Sequence, residues 1–325
     1  MKASAVASAL GLLVSTRQPV FVWGSPGVGK SDVVRQVAES KQVALQDVRA
    51  LLLDPVDLRG LPFLSPDKQA KWATPDFLPR EGEGILFLDE LNSATAMVQA
   101  SCYQLVLDRK LGEYTLPDGW AIVAAGNRES DRGVTTRMPT PLRNRFTHLQ
   151  FEVDMQEWCE WGIRASIRPE VIAFVRFRPD LLSVFDRDAN AFPSPRSWAF
   201  VSKILNATPA PTIEHELIAG TVGDGTATEF SAFLATYRNL PNIDAILLHP
   251  DQEPVPNNAA AQFAVSTALS HCATDTNFDR VCRYLQRMPT EFGVLCVRDA
   301  SLRQPAVRHT PAYTKWAVAN HHVLA

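Results

Sequence analysis

Gly24-Ser25-Pro26-Gly27-Val28-Gly29-Lys30-Ser31 decides the fold, because it matches the phosphate-binding pattern G-x-x-x-x-G-K-[ST] at every fixed position. An apolar run at residues 19–23 precedes it, and residues 31–38, with apolar side chains at helical spacing, follow it. In such a strand–loop–helix unit, glycines let backbone N–H groups face phosphate oxygens at a helix N-terminus. We expect Lys30 to reach the β- and γ-phosphates and the Ser31 hydroxyl to bind Mg²⁺.

A second informative stretch is the apolar run at residues 84–88, which ends in Asp89 and Glu90. Acids directly after a buried strand are costly unless a bound group uses them. Beside a phosphate loop, we expect Asp89 to hold the Mg²⁺ shell and Glu90 to polarise an attacking water. The alternative is that an acid here only caps the next helix. Asn92 and Ser93 are expected to supply those caps instead.

The spacing of apolar runs predicts the architecture around these motifs. Residues 1–153 alternate helical patterns with apolar runs at 19–23, 43–48, 84–88, 120–125 and 148–153. The almost continuously apolar run 84–88 is typical of a strand whose sheet is covered on both faces. Residues 93–110, in contrast, carry one apolar stripe at helical spacing. This βαβ alternation predicts a three-layer α/β sandwich with a parallel sheet.

The rest of the chain has helical patterns. We expect an α/β nucleotide-binding domain at residues 1–153, a helical lid at 154–205 and a mostly helical C-terminal extension at 206–325. Residues 206–212 (NATPAPT) are predicted to be a linker, and residues 249–258, rich in Pro and Asn, a break between helices. The apolar stretch after Met1-Lys2 superficially resembles a signal peptide. We favour a first helix that leads directly into the sheet.

Composition narrows the class of protein. The 325 residues are 46% hydrophobic and 21% charged, which is typical of a globular chain and excludes disorder and collagen-like structure. A net charge of −3 disfavours a role in coating nucleic acid, and no apolar run approaches the ~20 residues of a membrane span. The five scattered cysteines do not form the pattern of a disulfide framework. The expected compartment is the reducing cytoplasm.

Taken in order, these motifs resemble those of AAA+ ATPases, and more narrowly of the MoxR family, over about residues 18–200. The loop at 24–31 corresponds to the family's Walker A motif, and residues 86–92 (LFLDELN) correspond to Walker B. Residues 125–128 (AGNR) resemble the sensor 1 segment, which implies that Asn127 helps Glu90 to position water. The resemblance implies an ATPase that uses ATP with Mg²⁺.

This resemblance implies functional roles for arginines in two further segments. Residues 138–146 (MPTPLRNRF) resemble the segment that carries the arginine finger, with Arg145 the first choice and Arg143 the second. Such a finger completes the site of the adjacent subunit, which implies a homo-oligomeric ring, most simply a hexamer. Residues 193–196 (PSPR) resemble the sensor 2 motif, so Arg196 would contact the γ-phosphate from the lid.

The residues thus predicted for the site fall into three sets. The expected catalytic residues are Glu90, Asn127, Arg145 and Arg196. The expected nucleotide-binding residues are Gly24, Ser25, Pro26, Gly27, Val28, Gly29, Lys30, Ser31 and Asp32. The expected metal ligands are Ser31 and Asp89.

Two stretches resemble insertions that face the ring or a client in this family. Residues 53–60 resemble the segment that precedes an inserted hairpin, and residues 61–79 would be that insertion; residues 111–119 form a second hairpin-like run. Trp72 and Phe77 in the first stretch could grip a polypeptide if exposed. We favour the alternative, in which both aromatic side chains pack the insertion onto the core.

The resemblance implies an ATP-hydrolysing ring that remodels, matures or activates a client protein, with a von Willebrand factor A domain protein as partner. One alternative is a nucleic-acid motor or loader of the same AAA+ class, against which the acidic net charge counts. Another is a nucleotide-gated scaffold with little turnover, which would have no need of a water-activating Glu90.

Overall fold

The computed structural model describes residues 1–128, 131 and 138–321, and these residues form two compact units, Met1–Val153 and Asp154–Ala325. In the first unit the strands are β1 (Val20–Trp23), β2 (Ala44–Arg49), β3 (Leu61–Leu64), β4 (Ala70–Ala73), β5 (Glu83–Asp89), β6 (Lys110–Leu111), β7 (Tyr114–Thr115), β8 (Gly119–Gly126) and β9 (Thr147–Gln150). Its described helices are α1 (Ala3–Ser15), α2 (Lys30–Lys41), α3 (Pro55–Arg59), α4 (Ala96–Asp108) and α5 (Thr140–Arg143).

The main sheet has five strands in the order β2-β5-β8-β1-β9, and every neighbouring pair is parallel. These five strands overlap the five predicted runs. Alternate residues of β5 enter two different cores. Leu86 and Leu88 pack with Phe21 and the apolar face of α4, whereas Ile85 and Phe87 pack with α1 and α2. The predicted three-layer α/β sandwich with a parallel sheet is therefore confirmed.

The first helix belongs to this sandwich. Val6, Leu10 and Val14 recur at helical spacing on α1 and are buried in the same core as α2. The expected helix ahead of β1 is thus confirmed. None of the helices in the described residues is long and apolar enough to cross a membrane.

The two predicted hairpins are present, but the two aromatic side chains of the first insertion differ in exposure. β3 pairs antiparallel with β4, and β6 with β7. Phe77, which follows the first hairpin, packs against the core, as favoured from the sequence. Trp72 on β4 is 40% exposed, so the expectation that both side chains pack inward is wrong for this residue. Leu61, Phe63 and Leu64 on β3 are also exposed.

The second unit is helical over its described residues. Its α-helices are α6 (Met155–Arg164), α7 (Pro169–Phe177), α8 (Pro195–Asn206), α9 (Pro211–Val222), α10 (Asp224–Arg238), α11 (Ile243–Leu248), α12 (Ala259–Cys272), α13 (Phe278–Leu285), α14 (Thr290–Arg303) and α15 (Pro311–Ala319). The predicted break at 249–258 separates α11 from α12. The predicted linker 206–212 is too long, because α8 extends to Asn206 and α9 begins at Pro211. Proline suits the first helical position, where no N–H is needed.

A buried ion pair links two helices of this unit. Arg176 on α7 donates to both carboxylate oxygens of Asp299 on α14, at 2.9 Å for the Nη2–Oδ1 bond, and both side chains are 2% exposed. Losing one partner of such a pair leaves an uncompensated buried charge.

Asp299→Ala is therefore expected to lower the free energy of unfolding by about 3–5 kcal/mol, measured by urea denaturation. The matched control is Asp251→Ala, which removes the exposed ion pair with Arg283 and should cost less than about 1 kcal/mol. Equal losses in the two variants would contradict the structural importance of the buried pair.

Candidate functional site

The carboxyl edge of the parallel sheet brings three separated stretches together. Trp23, the last residue of β1, pairs with Gly126 at the end of β8, and Leu88 near the end of β5 pairs with Ala124. The loop after β1 therefore starts beside Asn127. Asp89 lies at the end of the next strand in the sheet. Ligands of open α/β sheets bind at this edge.

The loop from Gly24 to Gly29 turns the chain from β1 into α2. Gly27 and Gly29 have φ angles of 78° and 99°, in the left-handed region where glycine, lacking a Cβ, is favoured. Gly29 is the N-cap residue of α2. The first N–H groups of a helix have no acceptor within the helix, so this end of α2 is suited to an anion.

Lys30 is the first residue of α2, and its ammonium reaches back to the start of the loop. The side chain is 9% exposed, and its Nζ donates to the carbonyl oxygens of Gly24 at 2.7 Å and Ser25 at 3.1 Å. It also donates to Oδ1 of Asn127 at 2.9 Å. These three acceptors are neutral, and a phosphate oxygen would form a stronger, charge-assisted bond with the same ammonium.

The two predicted metal ligands are in direct contact. Ser31 Oγ donates to Asp89 Oδ2 at 2.8 Å, across the boundary between α2 and β5. Mg²⁺ takes oxygen ligands and is usually held by one or two protein groups together with substrate phosphates and water. This hydroxyl–carboxylate pair beside the loop therefore fits Mg²⁺ that arrives with a nucleotide.

Two carboxylates on neighbouring strands, Asp47 and Asp89, interact near this edge. On β2, next to β5, burial first and the nearby Asp89 carboxylate second raise the pKa of Asp47, while Arg35 and Arg49 act in the opposite direction. A divalent cation between the loop and Asp89 would reduce this repulsion between carboxylates.

Glu90 follows Asp89 in an unusual backbone conformation. Its φ and ψ are 56° and 31°, which costs a non-glycine residue roughly 1–2 kcal/mol. Its N–H donates to Asp89 Oδ1 at 2.9 Å, and its carbonyl oxygen accepts from the N–H of Ser93. The side chain is half-buried.

The predicted capping role of Asn92 and Ser93 is wrong. Helix α4 begins at Ala96, and its N-cap is Thr95, whose Oγ1 accepts from the N–H of Val98 at 3.4 Å. Asn92 and Ser93 lie in a short 3₁₀ turn (Leu91–Ser93), too early in the chain to cap the helix. The Asn92 side chain instead points to the sheet and donates to the carbonyl oxygen of Asn127 at 2.8 Å.

Three other predicted residues lie on the first turn of α2, within the loop and in the other unit. Asp32, on the first turn of α2, is exposed and forms an ion pair with Arg35 at 2.9 Å. Val28 is buried among the core residues under the loop. Arg196 is exposed near the start of α8, in the second unit.

The two candidate finger arginines differ in exposure and in hydrogen bonding. Arg143 is half-buried, and its Nη2 donates to Thr140 Oγ1 at 3.2 Å. Its carbonyl oxygen contacts the ring of His148. Arg145 is exposed, and among the described residues its side chain has no hydrogen-bond or ion-pair partner. The Arg145 guanidinium is therefore the one presented to solvent.

No family model matches the chain, and no curated protein matches it. Solved structures do match. A RuvB mutant from Thermotoga maritima is 16% identical, with 79% of this chain and 80% of that chain covered and a TM-score of 0.43. NtrX from Brucella abortus in complex with ATP is 15% identical, with coverage of 90% and 68% and a TM-score of 0.43.

Proposed function

We propose that this chain is an AAA+ ATPase of the MoxR type that binds ATP with Mg²⁺ at residues 24–31 and hydrolyses it to ADP and phosphate. The observation that carries the proposal is one connected group of contacts. Lys30 bonds to Asn127, and Ser31, the next residue, bonds to Asp89. The residues proposed to bind phosphate, to hold Mg²⁺ and to act as the sensor thus follow three strand ends and contact one another at one edge.

Each residue has a distinct part in the proposed reaction. Lys30 exchanges its neutral acceptors for phosphate oxygens, and Ser31 with Asp89 would hold Mg²⁺, which neutralises charge on the β- and γ-phosphates. Glu90 accepts a proton from water as the water oxygen attacks the γ-phosphorus and the bond to the β-phosphate oxygen breaks. Asn127 orients the water or the γ-phosphate through its amide.

The proposed ring depends on Arg145. An exposed guanidinium that follows the sensor 1 segment is suited to reach the nucleotide of a neighbouring subunit, where it would stabilise charge on the transferring phosphoryl group. Arg143, already bonded to Thr140, is the less suitable finger. We assign Arg196 to the γ-phosphate contact from the helical lid and the assembly to a homo-hexamer.

The proposed role of the ring is to remodel or activate a client protein in the cytoplasm, together with a von Willebrand factor A domain partner. The exposed apolar residues of the first hairpin support contact with a protein, because exposed apolar patches mark such surfaces. They are Leu61, Phe63, Leu64 and Trp72.

The binding step is tested with Lys30→Ala. Hydrogen bonds to charged groups contribute about 1.5–3 kcal/mol, so ATP affinity is expected to fall roughly 10- to 100-fold. A fluorescent ATP analogue or titration calorimetry measures this. The matched control is Lys41→Ala at the other end of α2, where Nζ donates to Ser15 Oγ. We expect wild-type affinity in the control, and wild-type affinity in Lys30→Ala would refute the assignment of the loop.

A further inference from the structure

Asn92 is a buried amide directly beside the proposed catalytic acid. It lies two residues after Glu90 in the 3₁₀ turn, and it is 2% exposed. A buried amide is costly unless its polar atoms are bonded. Its Nδ2 donates at 2.8 Å to the carbonyl oxygen of Asn127, 35 residues away in the sequence. The turn that carries the acid is therefore bonded to the backbone of the residue that carries the sensor amide.

The other side of the Asn92 amide packs against the end of β8. A Cβ at Gly126 would lie 2.0 Å from Asn92 Oδ1 and 2.6 Å from Asn92 Cγ. Only glycine leaves room for the amide at this position. Within the described part of the chain, Asn92 Oδ1 has no hydrogen-bond partner, which is costly for a buried acceptor. The amide is thus held in one place at a cost to stability.

Asn127 contacts both Asn92 and the lysine that follows the loop. Its carbonyl oxygen accepts from Asn92, and its side-chain Oδ1 accepts from Lys30 Nζ. A continuous series of contacts therefore runs from the Glu90 turn through Asn92 and Asn127 to the phosphate-binding lysine. Small shifts matter in such a group, because a misplacement of about 1 Å can cost 10²-fold in rate.

We propose that Asn92 is a positioning residue, which fixes the backbone of Asn127 relative to Glu90 and so sets the geometry in which water is activated. The inference rests on the proposed ATP hydrolysis at this site. Asn92 acts through Asn127 and does not itself touch the nucleotide.

The first test separates turnover from binding. In Asn92→Ala, kcat for ATP is expected to fall roughly 10- to 100-fold, because water and acid lose their alignment. The Kd for ATP should stay within about threefold, since the Lys30 ammonium keeps its contacts with the loop. An unchanged kcat, or a loss of ATP affinity as large as the loss of kcat, would overturn the role.

A double-mutant cycle with Asn127→Ala then separates positioning from general stability. Asn127→Ala keeps the backbone carbonyl oxygen that Asn92 bonds but removes the side-chain amide. If Asn92 acts by placing that amide, adding Asn92→Ala to Asn127→Ala should lower single-turnover hydrolysis by less than about twofold. A purely structural role gives the same fold-loss in both backgrounds, and that result would refute the inference. Circular dichroism checks that each variant is folded.

Gly126→Ala provides a second variant that keeps the Asn92 side chain. Its methyl group would occupy the space of the Asn92 amide, so we expect kcat to fall about as much as in Asn92→Ala. In the Asn127→Ala background, Gly126→Ala should cause little further loss of kcat. Normal kcat in a folded Gly126→Ala would contradict the inference. A wild-type chain without ATP hydrolysis would refute both the proposed function and the role of Asn92. Multiplicative losses in an active enzyme would refute only the role of Asn92.

Discussion

Glutamine in place of Glu90 is expected to lower ATP hydrolysis by roughly 10²-fold or more, while ATP still binds. Glutamine has nearly the same shape as glutamate but cannot accept a proton from water. Glutamate and glutamine both carry a Cβ, so the left-handed backbone conformation at position 90 costs the same free energy in both proteins. Phosphate release and binding of a fluorescent ATP analogue, measured on the same preparation, give the two quantities.

The matched control is Glu113→Gln, which removes an exposed carboxylate in the turn of the second hairpin. It changes the net charge equally and should keep wild-type turnover. If Glu90→Gln hydrolyses ATP at nearly the wild-type rate, Glu90 is not the general base. Loss of nucleotide binding in Glu90→Gln would instead mean that Glu90 acts in holding the nucleotide.

Arg145→Ala is expected to bind ATP normally and hydrolyse it poorly, because its own pocket is intact and only the neighbouring subunit loses a charge. Mixing Arg145→Ala with Glu90→Gln should restore turnover. In an equal mixture, approximately one quarter of the sites pair an intact Glu90 with an intact Arg145. Since an arginine finger is worth about 10³–10⁵ in rate, these sites should raise the turnover of the mixture far above that of either variant alone. The rescue must increase with protein concentration, because it needs assembly.

The control for this experiment replaces Arg143 instead of Arg145 in the same mixture. We expect Arg143→Ala alone to keep more activity, because its side chain is already bonded within α5. Native mass spectrometry verifies that the mixed assemblies form. Mixed assemblies with no more activity than their parents would show that Arg145 does not act on the neighbouring subunit.

The sequence predicts the loop and the sheet well because both depend on local patterns. The glycines of 24–31 are needed for the backbone turns at Gly27 and Gly29, and the continuous apolar run 84–88 reflects cores on both faces of β5. The proximity of Ser31 and Asp89 is also predictable from the sequence, because parallel strands place their carboxyl ends at one edge of the sheet. These features need no knowledge of side-chain packing.

The position of Asn92 was not predictable in the same way. Asparagine after a strand is a common helix cap, and only the location of Thr95, nearer the helix, excludes that role here. The bonds from Lys30 to Asn127 and from Asn92 to Asn127 join residues 97 and 35 positions apart. They arise from strand order and the close approach at Gly126, which no spacing in the sequence encodes.

The sequence does not indicate the exposure of Trp72, for a related reason. An aromatic residue in an insertion is usually expected to pack inward, and Phe77 does. A two-stranded hairpin has two faces, however, and nothing in the residues themselves shows which face the rest of the unit covers.

Phosphate release from ATP by the purified wild-type chain, with Mg²⁺ and with EDTA, tests the central claim most directly. Glu90→Gln, purified in parallel, shows the background from contaminating ATPases. Hydrolysis that requires Mg²⁺ and falls by roughly 10²-fold or more in Glu90→Gln is the predicted result. Hydrolysis at the same rate in both proteins, or none in a wild-type chain that is folded and assembled, would contradict the claim that this site hydrolyses ATP.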